Sequence, residues 1–386
     1  MKTTLTRLHR DEHGMSMVFV GVSFMAFLAA TTLAIDVGMF MTARAQAQTS
    51  ADSGALAGAL ALYYDDYNNR SASGPAVQNS LAASRSNGVI NQQVSVQPAD
   101  VTFPTSPDGV NNRVRVHVYR TSARDNALRT LMGRFFGVNT ANIDAVATAE
   151  ASPANAMTCV KPFTIPDKWI EKQDPGGYNS LTSTFDMEDN HGNPLSNPDI
   201  YIPADQPGYT GYSAERDKGT QILIRPGTGN NIEPSFYFSY AIGGDTGGSA
   251  YRWNIANCNT TAMGWGDLLL MEPGNMVGPT DQGIDDLIAL DPDAYWDTAT
   301  NSPVSTVHPS PRVVGIPLYD PVYYDTGKLN GRTADLKVAN YLGFFIERRQ
   351  GNNVYGRITP IGGLVKGSGF GSAPPGAFPK AIRLVE

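Results

Sequence analysis

The sequence predicts an α+β chain in three parts. A long N-terminal helix crosses a membrane and runs on beyond it, a small α+β unit follows, and a larger β-rich domain completes the chain. Three observations predict this. Residues 13–35 form an uncharged apolar run, the Ala-rich stretch after it contains no proline before Pro75, and beyond about residue 153 short apolar runs alternate with turn formers. The expected parts are 1–72, 73–152 and 153–386. At 386 residues the chain exceeds what one compact core usually holds. Hydrophobic residues at 41% against charged residues at 17%, with 39 Gly and 26 Pro, suit a loop-rich β domain better than a charged helical bundle. The formal charge of -7 argues against a nucleic-acid partner.

The first element is the apolar run. Between Glu12 and Asp36 lie 23 residues, His13 to Ile35, with no Asp, Glu, Lys or Arg. As a helix at about 1.5 Å per residue they span roughly 34 Å, enough for a hydrocarbon core of about 30 Å. The apolar region of a secretory signal is typically about 7–15 residues. The segment therefore reads as a retained anchor bounded by Met15 and Ile35, although Ala29, Ala30 and Ala34 would suit a peptidase. Lys2, Arg7 and Arg10 precede it, whereas Arg44 is the single base between Asp36 and Arg70. That asymmetry leaves the N-terminus in the cytoplasm and everything after Asp36 outside, which in a bacterium with two membranes is the periplasm. The lipid bilayer is thus the first expected partner, through residues 13–35.

Beyond the span, Ala and Gln favour helix as far as about Tyr64. A rigid helix from Asp36 to that point would project about 40 Å and hold the folded parts away from the bilayer. Gly54 and Gly58 make a GxxxG well outside the membrane, where close packing on the chain's own domain is a simpler role than dimerisation.

These stretches, "RDEHGMSMVFV" and "LAIDVGMFMTARAQAQTSADSGALAGALAL", resemble the N-terminal segment of TadG-like Flp pilus-assembly proteins. The resemblance rests on a charged lead (Arg10 to Gly14), an A-I-D-x-G junction (Ala34 to Gly38) and the Ala-rich run around Gln48, Ala51, Asp52 and Ala55 to Gly58. It covers roughly the first 60 residues, with these features in fixed order. It implies an inner-membrane protein of bacteria that build tight-adherence pili, with other pilus-assembly proteins or pilin subunits as partners. Self-association stays open. A type IV prepilin is the neighbouring alternative, but it needs a Glu five residues into the mature chain, and counted from Gly14 that position is Phe19.

The small unit is expected to hold a short helix from Val77 to about Arg85. Strands follow in "QVSVQ" and in "RVRVHVYR", where Val114, Val116 and Val118 share a face and His117 points the other way. An amphipathic helix is expected over 123–137, stopped by Gly137, and then a strand over 143–151. In the β-rich part, "PTDQGIDDLIAL" is the one clear helix, with Ile284, Leu287 and Ile288 on a common face. "KPFTIPDKW" and "EPGNMVGPTDQGIDDLI" resemble extended members of the same family.

Chemistry is scarce. The two cysteines, Cys159 and Cys258, lie in the part expected outside the cytoplasm, where a disulfide between them would persist. "DTG" occurs at Asp245 and Asp325, but the flanks do not match as they should in a carboxylate dyad, and Asp-Thr-Gly is common turn chemistry. Hydrolase and phosphate-loop signatures (GxSxG, SxxK, HExxH, Walker A) are missing from the sequence, as is a DxSxS metal-adhesion motif. "DMEDNHGN" has its glycine, Gly192, one place too late for an EF-hand. Between Arg252 and Arg312 there are no bases but eight acids: Asp267, Glu272, Asp281, Asp285, Asp286, Asp291, Asp293 and Asp297. A solvated acidic face explains them more simply than a cation site. The expectation is therefore a non-enzymatic assembly component with no catalytic residue, cofactor or metal. A minor pilin-like subunit and an extracytoplasmic hydrolase with a dispersed site are the rivals.

Overall fold

The computed structural model describes residues 12–107, 109–189, 191–227, 231–328, 335–367 and 369–385; the leading bases Lys2, Arg7 and Arg10 lie outside them. Helix α1 runs unbroken from Glu12 to Tyr64, as a stretch rich in Ala and free of proline should. Its first half is apolar all round and uncovered: Met17 is 80% exposed, Phe19 68% and Phe27 74%. By length and composition it is a candidate membrane span.

At Asp36 the helix changes character. Ala43, Ala47, Ala51, Ala55 and Ala59 recur every four residues, and each is 0–1% exposed. This i, i+4 ridge of methyl groups is what close helix packing requires. Its neighbour is helix α2 (Pro75–Ser86), which opens with proline at a position where a missing N–H costs nothing. The approach is close enough to need glycine. A Cβ on Gly58 would lie 2.1 Å from Ser80 Oγ and 2.8 Å from Val114 Cγ1, and one on Gly54 would lie 2.0 Å from Ser84 Oγ. The GxxxG therefore packs inside its own unit. Across the same interface, Ser50 Oγ donates to the Ser84 carbonyl at 2.8 Å and the Ile90 N–H donates to Gln46 Oε1 at 2.8 Å.

The sheet of this unit joins β1 (Val101–Thr102), β2 (Arg113–Arg120) and β5 (Ile143–Pro153), all antiparallel. Strand alternation turns Val114, Val116 and Val118, each 0% exposed, to the covered face. The other face carries cross-strand polar pairs, Arg113 with Glu150 and His117 Nε2 with Asp144 Oδ2, both at 2.8 Å. Val94 and Val96 are buried as their alternation predicts, but only Ser95 bridges, to Tyr119.

Two expectations are corrected here. Residues 123–137 are not an amphipathic helix: they hold a short strand β3 (Leu128–Arg129), paired with β4 (Thr140–Ala141), and single 3₁₀ turns. Nor is α1 a free stalk beyond the span, because the unit packs along it from Asp36 to Ala59.

A second compact unit comprises residues 60–69 and 151–383. Its centre is a barrel. In chain order its strands are β6 (Phe163–Pro166), β7 (Gln221–Pro226), β8 (Phe236–Ala241), β9 (Leu268–Met271), β10 (Val313–Tyr319), β11 (Leu336–Gln350) and β12 (Asn353–Ile358). They pair in the order β9-β11-β10-β6-β8-β7-β12, and β11–β12 and β8–β9 contacts close the ring. Closure removes the unpaired edges that an open sheet of short strands would leave. Strand β11 is long enough to pair successively with β9, β10 and β12, with a bulge between Ile346 and Arg348. Helices α3 (Gly248–Ala256) and α4 (Val277–Ala289) bring Tyr251, Ile255, Ile284 and Leu287 into one core with Ile165, Ile224, Leu318 and Phe344. A further helix, α5 (Pro321–Lys328), has no counterpart in the sequence expectation, nor has α3.

Candidate membrane-proximal site

Asp36 is the first charged residue after the uncharged run, and only 5% of it is exposed. A buried carboxylate needs donors. The loop after β3 supplies them: the N–H groups of Leu131 (3.0 Å), Met132 (3.2 Å) and Gly133 (2.5 Å) all donate to its two oxygens. Burial acts to raise the Asp36 pKa, but the hydrogen bonds from Met132, Gly133 and Leu131 outweigh it and hold the carboxyl below its ordinary value. Position 133 must be small, since a Cβ there would lie 3.0 Å from the Val138 carbonyl and 3.1 Å from Asp36 Oδ2. Gly137, at φ 80°, turns the chain back in a conformation that L side chains resist. Between the loop and α1 lies an apolar cleft of about 320 Å³, lined by Ala29, Thr32, Leu33 and Phe40 on one side and Met132, Phe136 and Val138 on the other.

Two family models match the N-terminal part of the chain, Flp pilus-assembly TadE/G-like over residues 14–61 and Tad-like Flp pilus-assembly over 40–149. Residues 14–149 are a Tad-type Flp pilus-assembly segment. The two matches overlap on the buried alanine ridge, and the second ends one residue short of Glu150, where the first compact unit gives way to the second. The resemblance carried by the A-I-D-x-G junction and the Ala-rich run is thereby shown, and it extends through the whole α+β part of the Tad segment. Domains of this kind are generally non-enzymatic. No curated protein and no solved structure matches the chain.

The other candidate residues lie outside the Tad segment. Cys159 and Cys258 are bonded, closing a loop of 99 residues in sequence separation. The eight acids are dispersed among local tasks. Arg252 reaches back to pair with Asp286 (2.7 and 3.0 Å), and Arg349 pairs with Asp285 and stands 4.0 Å from Asp281. Glu272 accepts the Gly247 N–H, Asp267 that of Gly264, and Asp291 the hydroxyls of Ser305 and Ser310. Asp297 takes Thr300 Oγ1, while Asp293 is exposed. Among the described residues no group of three or more His, Cys, Asp or Glu could hold a metal ion. The two Asp-Thr-Gly sites are not equivalent: Asp245 precedes α3 in a loop, whereas Asp325 is inside α5. In "DMEDNHGN" the Asp189 carboxylate accepts the N–H groups of His191 and Asn193.

The grip of Asp36 on the 131–133 loop had no sequence signal beyond the conspicuous lone aspartate, because its partners lie 95 to 97 residues away. Also unforeseen is Asp167 of "KPFTIPDKW". It is fully buried, accepts from Tyr201 (3.1 Å) and Tyr209 (2.8 Å), and is pushed up to about 6 by that burial.

Proposed function

We propose that the chain is a non-enzymatic, inner-membrane-anchored component of Flp pilus assembly. Residues 13–35 cross the bilayer with boundaries at Met15 and Ile35, the N-terminus is cytoplasmic, and the bulk lies in the periplasm. The observation that carries this is the Tad-type match lying on a helix whose apolar half is uncovered and whose other half is built into a folded unit. The bases Lys2, Arg7 and Arg10 ahead of the span support the orientation. A disulfide in the second unit fits an oxidising compartment. The non-enzymatic reading is supported by the local structural partners of the acids and by the inequivalent Asp-Thr-Gly sites. Other assembly proteins or pilin subunits are the partners, reached by an anchor (1–72), an α+β unit (73–152) and a β-rich domain (153–386). Phe19 in place of a glutamate speaks against processing into a filament subunit.

Deletion of the gene followed by complementation tests this. The deletion is expected to abolish surface pili while pilin is still made, and the complementing chain should be found in the membrane fraction. Normal piliation in the deletion strain would remove the assembly role.

A further inference from the structure

The loop that Asp36 holds carries four large apolar side chains that are at least half exposed: Leu131 is 52% exposed, Phe135 71%, Phe136 65% and Val138 54%. A soluble protein rarely gathers so much exposed apolar surface in eight residues without a partner for it. We propose that this loop, residues 130–138, is a second membrane contact, seating Leu131, Phe135 and Phe136 at the headgroup–acyl boundary of the leaflet from which α1 emerges. The proposal rests on the reading of residues 13–35 as a span.

Its position is the main warrant. Phe136, Met132 and Val138 face Ala29, Thr32 and Leu33 across the apolar cleft, so the loop lies beside the last turns of the uncharged run. Ala29 to Asp36 is seven residues, about 10 Å along the helix, and interfacial segments sit about 5–10 Å into the boundary region. The apolar patch is therefore continuous with the surface of the span itself. In a bilayer the cleft would be filled by acyl chains.

The backbone is prepared for such an environment, where unpaired polar groups are costly. Asp36 satisfies three N–H groups, and the loop pairs much of the rest internally. Thr130 N–H donates to the Asn139 carbonyl, Phe135 N–H to Met132, Gly137 N–H to Arg134 and Val138 N–H to Gly133. Thr130 Oγ1 takes up the Val138 carbonyl at 2.6 Å. Exposed Arg129 precedes the patch and exposed Arg134 lies within it, its guanidinium 5.2 Å from the centre of the Phe135 ring. Such arginines can lay their stems along apolar surface and leave their charge at lipid phosphates.

The test uses the full chain in vesicles of phosphatidylethanolamine and phosphatidylglycerol, with an environment-sensitive fluorophore on one added cysteine at a time. The sites are Phe135→Cys in the loop, Phe24→Cys in the span and Val110→Cys, an exposed site of the same unit. Val110 stands four residues ahead of Val114, which packs on Gly58, about 33 Å along α1 from Asp36. Lipids carrying a quencher on the acyl chain should reduce emission at least twofold at residues 24 and 135 and leave residue 110 unchanged. Quenching at 24 but not at 135 would overturn the loop proposal and leave the span intact. Absence of quenching at 24 would remove the span reading itself. A label at 135 that is shielded from water yet insensitive to quenching lipids would mean that a protein partner covers the patch, which also overturns the proposal.

Discussion

Replacing Gly58 by alanine separates a packed α1 from a bare one by the sign of the effect. In an exposed helix the change should stabilise by about 1 kcal/mol, because alanine loses less backbone freedom than glycine. Here the added methyl would meet Ser80 Oγ at 2.1 Å, Val114 Cγ1 at 2.8 Å and the Ala76 carbonyl at 3.3 Å. Ser80 can rotate its hydroxyl, but the valine, 0% exposed, and the α2 backbone cannot yield so easily. Overpacking costs typically about 1–3 kcal/mol, and two contacts below 3.0 Å put this site in the upper part of that range, so after the helix gain of about 1 kcal/mol the net expectation is a destabilisation of about 1–2 kcal/mol. Hydrogen exchange of the detergent-solubilised chain, read in peptides covering 75–86 and 113–120, would register it as roughly a tenfold acceleration. Ser80→Gly in the same chain should recover part of the loss. Unchanged or slower exchange in Gly58→Ala would refute the packing argument and return α1 to a stalk.

Four further outcomes follow from the same structure. Asp36→Ala should expose residues 130–138 to limited proteolysis. Since the Asp36 pKa is depressed in the folded state, wild-type protection of that loop should hold at neutral pH and be lost as pH falls below about 4, whereas pH-independent protection would contradict it. Asp167 has the opposite sign: its folded pKa of about 6 lies above its ordinary 3.8, so stability of the second unit should fall as pH rises through about 4–6, and Asp167→Asn should flatten that slope in thermal melts. Removing the disulfide with Cys159→Ser and Cys258→Ser should cost about 2–5 kcal/mol and lower the melting temperature by roughly 5–15 °C, measured against the oxidised wild type. Asp285→Ala breaks an exposed pair with Arg349, should cost less than about 1 kcal/mol and should leave piliation intact; lost piliation would reopen the acidic stretch as a binding site.

Local sequence signals carried the elements whose partners are their own neighbours. The run of Ala and Gln without proline made α1 legible to its last turn, and the alternating valines at 114, 116 and 118 made β2 legible with the correct buried face. Residues 123–137 misled because Leu128, Leu131, Met132, Phe135 and Phe136 have the spacing of a helix face. That count treats every apolar residue as core, yet only Leu128 is buried in the fold, at 3% exposed, while Leu131, Phe135 and Phe136 face outward. Helix α3 was invisible for a different reason: nine residues opening on glycine are too few to show a period. The acidic stretch looked like a cluster because the bases that pair with it, Arg252 and Arg349, stand outside it in sequence. The tie between Asp36 and the 131–133 loop depends on how the chain folds back over nearly a hundred residues, which no local pattern encodes.

A retained anchor on an assembly component shows in the mass of the chain recovered from the membrane fraction and from sheared pili of the same piliated cells. The account predicts one membrane-bound species that keeps residues 1–35 and is absent from the sheared filaments. A species cut after Gly14 or Ala34, or one enriched in the filaments, would contradict it.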